Sequence, residues 1–162
     1  MNTPASGAKP AGQSQSPGQS QPAGKDLIVV SAVCVFDAAG RLLTVRKRGT
    51  EKFMHPGGKP EIGESAAEAA SRELDEEVGI RVAPQDLELL GTWLAMAANE
   101  DHTNIEATVF IAPGTWEARP SAEIAEIRWL DPTEELPGDL APLLTEHILP
   151  LLASPRGEIS SL

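Results

Sequence analysis

The chain has 162 residues, 41% of them apolar, with a formal net charge of −11, one cysteine and no tyrosine. That length and apolar share suit one closed core, and the acidic balance argues against nucleic acid or an anionic membrane as partner. The lone thiol, Cys34, leaves no disulfide framework, and no stretch reaches the roughly 18 apolar residues of a membrane span.

Residues 1–24 are mostly Pro, Gly, Ser, Gln and Ala, with Lys9 as the one charged side chain. Such a segment cannot repay the entropy of ordering, so a disordered low-complexity tail is expected ahead of a domain over 25–153. The tail lacks the charged-then-apolar order of a signal peptide, so a cytoplasmic protein is expected. A flexible C-terminus is expected over 154–162.

Leu27 to Phe36 is β-rich and almost continuously apolar, the pattern of a central strand covered on both faces. Asp37-Ala38-Ala39-Gly40 turns the chain, and Leu42–Val45 is predicted to return as the second strand of a hairpin. Arg46-Lys47-Arg48 follows, either a solvated basic edge or, in so acidic a chain, a clamp for phosphate. Cys34, inside the apolar run, reads as a small buried hydrophobe.

Phe53-Met54-His55-Pro56-Gly57-Gly58-Lys59 combines a short extended segment with a turn in which proline fixes the approach and glycine permits close backbone contact. His55 reads as a packed ring. A helix is then predicted from about Ser65 to Val78, with Ser65 as N-cap, Glu68 at the capping-box position and Gly79 as the stop. Ala67, Ala70, Leu74 and Val78 share one face, and Glu73, Glu76 and Glu77 fall on a neighbouring one. Three adjacent carboxylates near a helix C-terminus repel one another and oppose the macrodipole, at several tenths of a kcal/mol each. They suit either a solvated face or hard divalent cations that in turn bind phosphate oxygens.

Gly58, five residues, Glu64, seven residues, Arg72-Glu73-Leu74, one residue, Glu76-Glu77, one residue, Gly79-Ile80 resembles the complete signature of the MutT/Nudix hydrolases. The resemblance implies an α/β fold, the Nudix-type α/β/α sandwich with a mixed β-sheet between helices. It implies a Mg²⁺-dependent pyrophosphohydrolase, with Mn²⁺ as a possible substitute, that splits a nucleoside di- or triphosphate derivative into a nucleoside monophosphate and a second phosphate product. The metal would be held by Glu73, Glu76, Glu77 and the Gly57 carbonyl, with Arg72 and Glu64 in support and Glu73 a candidate base. Arg46 and Lys59 would contact substrate, and Glu123, or failing it Glu100, would be the further acidic residue such enzymes recruit from a later loop. A small-molecule nucleotide or diphosphate is the partner implied, with no nucleic acid or membrane, on a monomer or homodimer. A non-catalytic nucleotide sensor on the same fold is the alternative.

Beyond the box, Leu87 to Ala95, Ile105 to Ile111 and Ile124 to Leu130 are predicted strands. A polar loop runs over 97–102, an irregular stretch over Pro113 to Ala122, and a helical turn is expected over Thr133–Leu136. Leu140, Leu143, Leu144, His147, Ile148 and Leu151 recur at helical spacing, which predicts a final helix covering the sheet. Trp93 and Trp129 read as core, with Trp116 undecided. Among substrates, the chain lacks the tyrosine associated with diadenosine polyphosphate hydrolases and the proline, between Pro84 and Pro113, usual in ADP-ribose hydrolases. Asp139 stands near where oxidised-guanine enzymes place an Asn, and an Asp could accept a hydrogen bond from a purine.

Overall fold

In the computed structural model, which describes residues 26–153, strand β1 (Asp26–Cys34) is the axis of the molecule. Its alternate side chains feed two different clusters, Ala32 and Cys34 on one face and Val33 on the other, with Val35 just beyond its end. That division explains the apolar run from Ala32 to Val35, which is buried on both sides, but in the first half of β1 Leu27 and Val29 stay exposed, so the strand is covered on both faces only over its second half. The expected tail over 1–24 and the expected flexible C-terminus over 154–162 lie outside the described residues.

The four-stranded sheet has the order β3-β1-β5-β4, with β3 at Gly57–Gly58, β4 at Glu88–Met96 and β5 at Thr103–Ile111. β1 and β5 run parallel while the other pairs are antiparallel, which makes the sheet mixed. Helix α1 (Ala66–Val78) covers one face, burying Ala70, Leu74 and Val78 against Val33, Val35, Leu43 and Val45. The C-terminal helical segment covers the other through Leu143, Leu144, Ile148 and Leu149. The α/β class and the mixed sheet between helices are therefore as the sequence predicts.

Two expectations need correction. Strand β2 (Leu42–Lys47) meets β1's continuation only at the Phe36–Leu42 bridge and the Leu43 N–H to Val35 carbonyl bond, and its ladder is with β6 (Ile124–Leu130). β1 has no edge to offer, since β3 and β5 occupy both. Thr133–Leu136 forms no helix; Asp131 Oδ1 accepts from the Thr133 N–H and hydroxyl and closes a tight turn instead.

The final helix also departs from simple α geometry. Over Leu143–Ile148 it is wound wide, with the Leu149 N–H bonded to the Leu144 carbonyl five residues back, before α2 (Leu149–Leu152) resumes α spacing. Pro150 gives the reason: it has no N–H for the carbonyl four residues earlier and its ring crowds that position, so the preceding turn relaxes outward.

Candidate active site

Local chemistry sets α1 before any tertiary contact does. Ser65 Oγ accepts from the Glu68 N–H at 3.0 Å, Glu68 Oε1 accepts from the Ser65 N–H at 2.9 Å, and Gly79 ends the helix at φ 72°. Two of the last carbonyls are satisfied by the irregular stretch between β5 and β6, where the Arg119 N–H bonds Val78 and the Ser121 N–H bonds Glu77. The helix end that carries the acidic residues is thus fixed in position.

The three box carboxylates lie in three different environments. Glu77 is buried at 2% exposure, Glu73 is 18% exposed and Glu76 is 61% exposed. Glu77 Oε1 accepts from the Gly57 N–H at 3.1 Å, while its Oε2 is buried with no hydrogen-bond donor. Lys47 Nζ stands 3.4 Å from that oxygen, an ion-pair contact without hydrogen-bond alignment. Burial pushes the Glu77 carboxyl up to about 7, against the opposing pull of Lys47 and the Gly57 N–H.

Arg72 organises the neighbouring acids. Its Nε and Nη2 donate to the two oxygens of Glu64 at 2.7 and 2.9 Å, Nη2 also reaches the Lys59 carbonyl, and Nη1 donates to Glu73 Oε2 at 3.1 Å. Glu76 Oε1 lies 3.5 Å from the same Nη1. The paired guanidinium holds the Glu64 carboxyl down to about 2 and raises Arg72's own pKa further. Glu73 packs so closely on the turn that a Cβ on Gly58 would meet its Oε2 at 2.3 Å.

Glu73 and Glu77 therefore flank the Gly57-Gly58 turn, while Glu76 is drawn outward onto Arg72. Among the described residues, no three carboxylate, imidazole or thiol groups converge to hold an ion as the side chains stand. The donor set still fits a hard divalent cation: carboxylate oxygens of Glu73 and Glu77 beside a glycine turn, with one buried oxygen lacking a donor.

A cavity of about 420 Å³ opens beside this turn. Lys47, Lys59, Arg72, Glu73 and Glu100 line its charged part, and Ile28, Val30, Met96, Ile105 and Leu143 line an aliphatic part. Asn99 ties down the loop at its rim, its Oδ1 accepting from the Glu51 and Lys52 N–H groups. His55 also lines it, buried and with Nε2 unbonded, so the ring is packed but not hydrogen-bonded through that atom; desolvation pulls its pKa down to about 4.

Arg46 and Glu123 do not line this cavity. Arg46 donates to the Thr50 carbonyl at 2.9 Å and pairs with Glu126, and exposed Glu123 meets the Arg48 N–H through its backbone carbonyl. Of the Arg46-Lys47-Arg48 run, the residue that reaches a carboxylate of the helix is Lys47, on Glu77. Strand alternation carries that signal: Leu43 and Val45 face α1, so Lys47 does too, and a bulge between Arg46 and Lys47 adjusts its aim.

Comparison with known proteins agrees with this geometry. The NUDIX domain model matches residues 26–152. The chain is 35% identical over 141 residues to isopentenyl-diphosphate Delta-isomerase of Leifsonia xyli, covering 76% of this chain and 75% of that protein. It is 38% identical over 68 residues to phosphatase NudJ of Escherichia coli, a match spanning 41% of this chain and 44% of NudJ. The crystal structure of a MutT NUDIX hydrolase from Burkholderia pseudomallei superposes with a TM-score of 0.60 at 23% identity, covering 72% of this chain and 92% of that one. The chain belongs to the NUDIX family, and the signature on its glycine turn and acidic helix is that of a Nudix hydrolase.

Proposed function

We propose that this chain hydrolyses the pyrophosphate linkage of an organic di- or triphosphate, nucleoside di- and triphosphate derivatives among them, with Mg²⁺ held by Glu73, Glu77 and the Gly57 carbonyl, and by Glu76 once it leaves Arg72. The observation that carries the reading is Glu77 Oε2, a buried carboxylate oxygen with no hydrogen-bond donor and only the Lys47 ammonium 3.4 Å away, on a side chain that holds the Gly57 N–H of the turn which, with Glu73, lines the cavity. Lys47 offsets only part of the cost of an anion in that position, since burial still raises its pKa, and a divalent cation would offset the rest. The relatives' names, an isomerase of isopentenyl diphosphate and a phosphatase, support phosphate esters as the ligand class.

Bound Mg²⁺ supplies charge neutralisation for phosphate oxygens and lowers the pKa of water. The chain's own groups supply the rest. Lys47 and Lys59, both at the charged part of the cavity, take non-bridging oxygens of the substrate. Arg72 keeps Glu73 Oε2 engaged, which leaves Glu73 Oε1 to accept the proton of the attacking water. Glu64, locked to Arg72 through both oxygens, prevents the guanidinium from swinging away.

The test is phosphate release with and without EDTA, in the wild type and in Glu77→Gln. Chelation should abolish turnover, and the variant should lose about 100-fold or more in kcat/KM while keeping its fold, since the amide oxygen can still accept from Gly57. Unchanged turnover in either arm rejects the site. The competing reading, a diphosphate sensor, is favoured by Glu76 pairing with Arg72 instead of joining Glu73 and Glu77. Tight Mg²⁺-dependent binding with no product over hours would establish it.

A further inference from the structure

Resting on the reading of the site as a diphosphate site, we propose that the preferred substrate carries a compact aliphatic group rather than a nucleobase. That group would pack on Ile28, Val30, Ala32, Met96, Ile105 and Leu143, which line the same cavity as Lys47, Lys59 and Glu73. A base in a protein pocket is held by aromatic stacking and by polar atoms aimed at its edge. This cavity offers no Phe, Trp or Tyr ring, and its one imidazole, His55, is buried in the wall.

The sequence holds three Trp, three Phe and no Tyr, and all six aromatic residues lie among the described residues. None lines the cavity. Trp93 stacks on His147 at 6.3 Å, Trp129 packs on the α1-side core, and Trp116 donates its indole N–H to the Pro113 carbonyl. Phe53 lies beneath Arg128 with the guanidinium 3.7 Å from the ring centroid; Phe36 and Phe110 pack in the core. No aromatic residue occurs in 1–25 or 154–162.

Three of the uncharged polar side chains are committed as well, His55 with its unbonded Nε2 being the exception. Ser31 Oγ donates to the Ala66 carbonyl and Thr50 Oγ1 to the Lys47 carbonyl. Asn99 Oδ1 accepts two backbone N–H groups at the rim. Asp139, positioned along the sequence where a purine reader could stand, gives both carboxylate oxygens to Arg128 and does not line the cavity. What remains beyond the charged part is an aliphatic wall, complementary to a hydrocarbon.

The reaction on such a substrate balances without another reactant. Water's oxygen bonds to one phosphorus, the bond from that phosphorus to the bridging oxygen breaks, and an alkyl phosphate, inorganic phosphate and one proton result.

The full chain with Mg²⁺ is assayed on a five-carbon alkyl diphosphate and on ADP, and both are titrated calorimetrically. The alkyl compound should have the higher kcat/KM by about tenfold or more, and Met96→Gln, which places an amide in the aliphatic wall, should lower that ratio about fivefold. Equal or faster hydrolysis of ADP overturns the substrate class and leaves the hydrolase reading standing. Binding of either compound without hydrolysis removes the hydrolase reading alone; the ratio of Kd values then decides, tighter alkyl diphosphate supporting the proposal and tighter ADP overturning it. Failure of both to bind overturns it too. Ile105→Ala gives the same readings should Met96→Gln fail to fold.

Discussion

At the scale of single residues, the two adjacent glycines of the turn do different work, although both lack a side chain for steric reasons. A Cβ at Gly57 would meet the Ser31 carbonyl oxygen at 2.0 Å, and that atom belongs to the backbone of β1, which cannot yield. A Cβ at Gly58 would meet Glu73 Oε2 and Cδ at 2.3 and 2.5 Å, the far end of a flexible side chain. Gly57→Ala is therefore expected to break the Ala32–Gly57 pairing and cost about 3 kcal/mol in a denaturant titration. Gly58→Ala should cost about 1 kcal/mol or less but displace the Glu73 carboxylate, lowering kcat/KM by about 100-fold. A Gly58→Ala protein with full activity would show that the position of Glu73 is immaterial to the reaction. The same pair shows what the sequence conveys about the site. The spacing of Glu73, Glu76 and Glu77 places them on neighbouring parts of one helix, but periodicity does not say that Glu77 is buried along with Ala70, Leu74 and Val78 or that Arg72 draws Glu76 outward. Those outcomes depend on what packs opposite, which is long-range information.

At the scale of elements, legibility follows how locally each one is determined. Helix α1 is readable almost to the residue because both caps sit within its own sequence, and its stability responds accordingly. Ser65→Ala removes the oxygen that accepts from the Glu68 N–H and should cost about 1 kcal/mol, measured by denaturant titration, with Ser65→Asp restoring most of it. No loss in Ser65→Ala would show that tertiary contacts alone fix the helix start. Strands β5 and β6 are legible through their apolar patterns, and the observed β6 has the expected bounds, Ile124–Leu130. Partner choice is not legible in the same way. Leu42–Val45 follows β1 by one short turn and suits a hairpin, yet β1's edges go to β3 and β5, so β2 finds its ladder far along the chain in β6, from Leu42 with Leu130 to Lys47 with Ile124. The final helix shows a related limit: apolar spacing announces a helix, whereas its wide winding comes from one missing N–H at Pro150, a detail that hydrophobic periodicity does not register.

At the scale of the whole molecule, the two-stranded sheet, the segment leading into the glycine turn and the entry to the C-terminal helical segment are joined beside the cavity by one polar cluster. Arg128 on β6 stacks on Phe53 and grips Asp139 through two hydrogen bonds, 2.7 and 3.1 Å long. Its carbonyl accepts from the Thr44 hydroxyl on β2. Asp139 in turn accepts the Phe53 N–H through its own carbonyl, and the Ala141 N–H returns to Phe53, so the chain entering the last helix is stitched to the segment that leads into the glycine turn. Ala141 and Leu143, immediately beyond, line the cavity, and loosening the cluster should therefore loosen the wall that meets the substrate. The hydrogen bonds from Arg128 hold the Asp139 carboxyl below its ordinary 3.8. With the folded value below the unfolded one, the ionised pair's contribution is fully present above about pH 5 and is lost as pH falls through the depressed folded value. Half-exposed Asp139 limits that contribution to about 1 kcal/mol. Stability of the wild type should thus exceed that of Asp139→Asn by a constant margin from about pH 5 to 7, and the margin should shrink as pH falls from about 4 through the depressed folded value, the unfolded chain's carboxyl taking up its proton before the folded one does. Denaturant titrations of both proteins across that range read the difference directly. A margin that stays constant to the lowest pH would show that the carboxylate's charge contributes nothing and that the side chain acts by shape alone.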